Sequence, residues 1–350
     1  MHGRLLFLLC CISGGAWADC TGGDTENYLD FDMGTQYVPR DAPIGSVIGT
    51  ANVRYSYQHS SDIVCNVGDL WEVRINGWPK VKGITLPPIT GLEMSNAMIS
   101  KTNVPGVGLV MTAPGRSMSK WSAVSGVSPY VPFKLSNTQP LTIVDPVITT
   151  FTLVKISNEI PMGTSAIKSS SSALGFWSGK RRFHSVFLMG TVVRSECSLE
   201  SANTVIEVPM GEVMRRQFNG KDSHMDSKDV VIPLTNCTAG TYPTDQGWNY
   251  YQNANAHLRL EGVQGSAILD AHRGILGLTS DSTAKGVAVQ VLRKDGVTPL
   301  PLGQEVSMAR LSGSQMNIEL KARYIQTSDS AAGPEPGKAN ARAAFTLTYK

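Results

Sequence analysis

Ala343-Ala344-Phe345-Thr346-Leu347-Thr348-Tyr349-Lys350 is the stretch that decides the fold. Phe345, Leu347 and Tyr349 alternate with Ala344, Thr346 and Thr348, the two-residue period of a strand with one apolar and one polar face. The same period recurs upstream. His257–Val263 sets Leu258, Leu260 and Gly262 against Arg259 and Glu261, a half-buried antiparallel strand. Val287, Val289 and Val291 repeat it ahead of Lys294-Asp295-Gly296, a turn of the Asp-Gly kind. Further β-branched or alternating runs are Ser46–Val53, Leu70–Ile75, Gly108–Thr112, Val147–Ile156, Phe183–Val193, Thr204–Val208 and Met316–Tyr324. Helical periodicity is scarce. Gly211–Val230 reads as a long polar loop with at most a short turn of helix, and Ser169–Ser172 as a flexible loop. The 350 residues are 41% hydrophobic and 17% charged, with 34 Gly and 19 Pro. That mix excludes disordered, collagen-like and helical-repeat chains, and the length suits about two domains. The expected class is all-β, with two antiparallel sandwiches fitting the strand spacing better than a barrel.

The opening residues carry Arg4, an apolar run Leu5–Ile12, and Ala16-Trp17-Ala18. This pattern predicts a secretory signal over residues 1–18 with an A-x-A cleavage site. The apolar run is far short of the ~20 residues that span a bilayer. Cys10 and Cys11 leave with the signal, so the mature chain starting at Asp19 keeps Cys20, Cys65, Cys197 and Cys237. Three pairings are formally possible. Local closure, Cys20–Cys65 and Cys197–Cys237, is favoured, and each bridge would remove roughly 4 kcal/mol of unfolded-chain entropy on the loop-closure model. Such bridges need an oxidising compartment, here a bacterial periplasm. The formal charge of +3 is too small to draw the chain onto nucleic acid.

Gly337 is the fourteenth residue from the end and Tyr349 the penultimate one. With the alternating strand Phe345, Leu347, Tyr349 between them, the chain resembles the chaperone–usher fimbrial subunits. Lys285–Val291 and Ala322–Thr327 resemble two further strands of that family, and Cys197 and Cys237 stand at the separation of its disulfide. The resemblance covers essentially Arg194–Lys350. It implies an immunoglobulin-like sandwich, residues 192–350, that lacks its last strand. The missing strand would come first from a periplasmic chaperone and then from the adjacent subunit, after passage through an outer-membrane usher.

Ahead of that domain lie residues 19–191, with no free donor segment in view, a layout similar to two-domain fimbrial tip adhesins. Val38–Ile48, Lys101–Gly108 and Leu153–Lys155 resemble strings of that group. What this implies is a receptor-binding, lectin-like first domain carried to the fimbrial tip on the cell surface, binding a host glycan or glycoprotein. The alternative is a minor structural subunit that caps or initiates assembly without a receptor. Pockets for sugars combine aromatic rings with polar side chains. Two loop sets meet that description: Asn66, Asp69 and Trp71 just after Cys65, and Phe176, Trp177, Lys180, Arg181 and Arg182 beside the serine run. Trp78 and Trp121 are further aromatic candidates. For Trp71, packing within a strand is the competing account, and for Lys180–Arg182 a solvated loop. No G-x-S-x-G elbow, H-E-x-x-H or C-x-x-C occurs, and His59, His184, His224, His257 and His272 lack ligand spacing. No catalytic residue, cofactor or metal is therefore expected.

Overall fold

The computed structural model describes residues 20–22, 27–55, 63–75, 79, 81–84, 99–111, 121–123, 130–136, 140–143, 147–169, 174–200, 204–240 and 254–350. The expected signal 1–18, Trp78 and residues 170–172 of the serine run lie outside them.

The first half contributes β1 (Asn27–Pro39), β2 (Val47–Tyr55), β3 (Ile63–Cys65), β4 (Leu70–Ile75), β5 (Ile99–Lys101), β6 (Val107–Met111), β7 (Trp121–Ala123), β8 (Tyr130–Ser136), β9 (Leu141–Ile143), β10 (Val147–Lys155), β11 (Gly163–Lys168), β12 (Leu174–Ser178) and β13 (Arg181–Ser195). The second contributes β14 (Lys228–Leu234), β15 (Asn255–Gly262), β16 (Ile268–Asp270), β17 (Ile275–Leu276), β18 (Val287–Arg293), β19 (Val306–Arg310), β20 (Met316–Gln326) and β21 (Ala343–Tyr349). Among the described residues the only helix is the 3-10 turn Arg215–Gln217, so the protein is all-β as the periodicity predicts.

A seven-stranded sheet, β1-β13-β12-β4-β8-β7 with β11 also on β13, faces a four-stranded sheet, β2-β10-β6-β5. Phe31 of β1 and Phe151 of β10 meet across the layer with ring centroids 6.3 Å apart. On the far face of β10, Val154 packs with Val47, Ile99 and Val110, covered by Val81, Ile84 and Ile156. That sheet is therefore buried on both faces, which its run Phe151–Lys155, buried at every position, reflects.

In the second half, β14-β20-β18-β17-β16 packs on β19-β15-β21. Ile232, Leu234, Leu258, Leu260, Val291, Ile318, Leu320 and Tyr349 form the core between them. The alternation in β15 and β20 supplies these residues on one face, as a half-buried strand must. Both disulfides are present: Cys20–Cys65 spans 45 positions and Cys197–Cys237 spans 40.

Three expectations are corrected. Thr204–Val208 is not a strand. Its alternation is real, with Ile206, Val208 and Met210 half-buried and Val205, Glu207 and Pro209 exposed, but no ladder partner pairs it among the described residues. Second, the sandwiches are not wholly antiparallel, because β1 pairs β13 in parallel from Asn27–His184 to Pro39–Ser195. Third, Phe176–Arg182 is not a loop. It is the β12–β13 hairpin, with Gly179 at φ +56° between the paired Ser178 and Arg181, the position where a two-residue turn requires a residue tolerant of positive φ.

Candidate functional site

Among the described residues β21 stands at the edge of its sheet and pairs with β15 alone, from Ala256–Tyr349 to Gly262–Ala343. Lys350 N donates to Asn255 O and accepts at its own carbonyl from Asn255 N, at 3.1 and 2.6 Å. In an antiparallel ladder successive residues bond to opposite sides. The even-numbered residues of β21 therefore face β15, and the backbone groups of Ala343, Phe345, Leu347 and Tyr349 face away from it. The side chains of the last three point into the core: Phe345 and Leu347 are half-buried against it, with Leu199 and Ile206, and Tyr349 is part of it.

Gly337 holds the segment before β21 in place. A Cβ at this residue would lie 2.5 Å from Ala284 N and 2.7 Å from the Thr283 carbonyl carbon, distances no side chain tolerates against backbone. The close approach lets Lys338 O accept from Thr283 N and Ala284 N at 2.9 and 3.0 Å.

Tyr349 joins the two halves. Its hydroxyl donates to Cys197 O at 3.0 Å, and its amide donates to Asp41 Oδ2 at 2.8 Å. Asp41 N donates back to Tyr349 O at 2.9 Å. Arg40 stacks 4.8 Å from the Tyr349 ring centroid and its Nη2 donates to Leu347 O at 2.7 Å. Glu196 ties the cluster, 3.6 Å from Arg40 and 2.5 Å from Arg194. Lys155 is buried and its Nζ donates to Arg40 O at 2.6 Å. Burial pushes the Tyr349 phenol up and the Lys155 ammonium down. Burial opposes protonated Arg40, but the Asp41 hydrogen bond and the Asp41 and Glu196 charges outweigh it, so its proton is held more tightly than usual.

The receptor-contact candidates gather at the far end of the first half. β13 has 15 residues, about 50 Å at ~3.3 Å per residue, and it separates the Gly179–Lys180 turn from the junction at Ser195. At the turn end, Cys20 N donates to Ser178 Oγ at 3.0 Å, placing the first disulfide beside the hairpin. Asn66 N donates to Asp69 Oδ2 at 2.6 Å. Asp69 is fully buried, so it shapes the turn while Asn66 stays exposed. Register brings the sets into two adjacent rows. Trp121, Leu135, Trp71, Ser178 and Arg181 lie opposite one another across β7, β8, β4, β12 and β13. The next row is Ser122, Lys134, Glu72, Trp177 and Arg182. Trp71 shares its row with the fully buried Ser178. In the second row Lys134 is exposed and Glu72, Trp177 and Arg182 half-buried, with the Arg182 guanidinium 5.4 Å from the Trp177 ring centroid. Arg181 lies 4.6 Å from the Phe183 ring, and Phe176 pairs with Val73 and His184. Sequence reading missed Glu72 and Lys134, because only cross-strand register places them beside Trp177.

Among the described residues the second half is thus a β-sandwich with β21 at an edge and a disulfide at its end. Residues 186–350, a little under half of the chain, match the family model for fimbrial protein, a non-enzymatic family of pilus surface components. The chain as a whole is a fimbrial adhesin-like protein of the chaperone–usher type. It is 23% identical to the fimbria adhesin protein of Klebsiella pneumoniae over 95% of this chain and 94% of that one. It is 28% identical to the major MR/P fimbria protein of Proteus mirabilis, over 57% of this chain and 99% of that one. Among solved structures, the CupB6 tip adhesin of Pseudomonas aeruginosa aligns over 94% of both chains at 16% identity and a TM-score of 0.38.

Proposed function

We propose that the protein is a fimbrial tip adhesin. On this reading it is exported to the periplasm, folds on a periplasmic chaperone, passes an outer-membrane usher, and receives along β21 the donor strand of the adjacent fimbrial subunit. The turn end of the first half then holds a host-surface glycan or glycoprotein. The observation that carries the reading is the edge position of β21 among the described residues, together with the alternating segment Val205–Met210, which has no ladder partner among them and whose Ile206 packs on the same core as Phe345 and Leu347. A strand added to β21 would satisfy its outward backbone groups, and its apolar side chains would meet Leu199, Ile206, Phe345 and Leu347. The receptor assignment is supported by the convergence of aromatic, basic and amide groups at the end farthest from that edge.

The test is a glycan array probed with the mature chain refolded on a donor peptide, and with the Trp177→Ala, Arg181→Ala double variant checked for an intact melt. A specific sugar signal that falls about tenfold or more in the variant is expected, given what stacking and charge-assisted hydrogen bonds contribute. A folded chain silent on glycans, whose loss leaves cells without fibres, would favour the structural minor subunit instead.

A further inference from the structure

We propose that the Arg40–Asp41 turn of the first half is a strand stop, fixing where a strand borrowed by the second half must end. The inference rests on reading β21 as the accepting edge. Along that edge the outward-facing groups are those of Ala343, Phe345, Leu347 and Tyr349, by the parity that the Lys350–Asn255 pair sets. Three positions are already taken by the first half. Tyr349 N donates to Asp41 Oδ2, Tyr349 O accepts from Asp41 N, and Leu347 O accepts from Arg40 Nη2. What remains to a donor is the ladder up to the Leu347 amide.

The stop is held from behind. Arg40 is bound through its own side chain to Asp41, Nη2 to Oδ2 at 2.9 Å, and lies over the buried Tyr349 ring. Its carbonyl accepts from the buried Lys155, and Asp41 continues into the turn where Ala42 N donates to Pro39 O at 3.2 Å. A donor strand long enough to pass Leu347 would have to displace a charged pair that already satisfies the backbone it would bind. The occupant is thus an extended segment of another polypeptide, apolar at alternate positions, whose paired length is limited by this subunit's first half. A fimbrial domain without such a first half would offer Tyr349's backbone as well.

The test compares three synthetic alternating valine–threonine peptides capped by lysines, one spanning the ladder up to Leu347 and two lengthened by a residue pair, one at each end. Each is bound to the mature chain and to the Arg40→Ala, Asp41→Ala double variant. Lengthening at one end is expected to tighten binding about tenfold more in the variant than in the natural chain, a coupling that a general loss of stability cancels out of. An equal gain in both proteins at each end overturns the stop. Amide exchange separates this from failure of the underlying reading: if none of the three peptides slows exchange at Phe345 and Leu347, β21 is not the accepting edge and the stop falls with it. Asp41→Asn, which keeps an acceptor for the Tyr349 amide, is expected to behave as the natural chain.

Discussion

Tyr349 is at once a core residue, the hydrogen-bond donor to the backbone of disulfide-bonded Cys197, and a contact at the junction between the halves. The sequence makes the first of these legible, because the alternation Phe345, Leu347, Tyr349 assigns an inward face. It gives no sign that the hydroxyl reaches Cys197 O or that Asp41 brackets the backbone, since both depend on segments remote in the chain. Tyr349→Phe removes the hydroxyl and leaves a buried carbonyl without its donor, which is expected to cost about 1–3 kcal/mol, read as a lower urea midpoint for the second half in its donor complex. The pH dependence has a definite sign. Burial raises the folded phenol above its ordinary value near 10, so the folded state holds the proton more tightly than the unfolded chain. The contribution is fully present below about pH 10 and is lost as pH rises through the folded value. Stability of the natural chain therefore falls in that alkaline window, and the fall is shallower in Tyr349→Phe. An identical alkaline limb in the two proteins would refute the assignment.

Among the elements, β13 shows where sequence reading works and where it stops. Its run Phe183–Val193 is legible from alternation, yet the strand continues from Arg181 to Ser195. The first boundary expectation, a domain ending at residue 191, would cut inside it. Residues 192–195 pair with Gln36–Pro39 of β1, and Gly163–Ser165 of β11 pairs with Val192–Arg194. Val192 and Val193 are buried. A fragment ending at Thr191 is therefore expected to be less stable than one ending at Ser195 by about 3 kcal/mol or more, from the two lost valines alone, measured by thermal melting of the pair. Equal melts would show that the last turn of β13 contributes nothing to the first half. β1 escaped notice for a local reason: Leu29-Asp30-Phe31-Asp32-Met33 alternates, with both aspartates exposed, but the period breaks between Asp32 and Thr35, at Met33-Gly34, before the run is long enough to stand out. Thr204–Val208 failed in the opposite sense, since its side-chain period is that of a strand and only the partner is missing. The two candidate sets were legible as residues, but their meeting at one sheet end follows from register that no single segment encodes.

For the whole molecule, the strings by which the first half resembles tip adhesins map to the junction rather than to the receptor end. Arg40 and Asp41 contact β21, Lys155 supports Arg40, and Asn103 of the Lys101–Gly108 string bonds Ala166 O and Lys168 N on β11 at 2.9 Å each. In this chain Arg40, Asp41 and Lys155 serve the junction between the halves, and Asn103 ties its turn to β11 within the first half. If the second half needs a borrowed strand, the mature chain refolded alone is expected to lose the cooperative melt of that half and to precipitate, with soluble recovery restored by an alternating donor peptide. Full cooperative refolding without peptide would sink that expectation. β13 runs unbroken from the Gly179–Lys180 turn to the junction. A pull between that turn and the second half therefore passes along its own covalent backbone and not through the hydrogen-bonded rungs to β1. The first half is built around a tie rod, which delivers tension to the junction without first having to break a ladder.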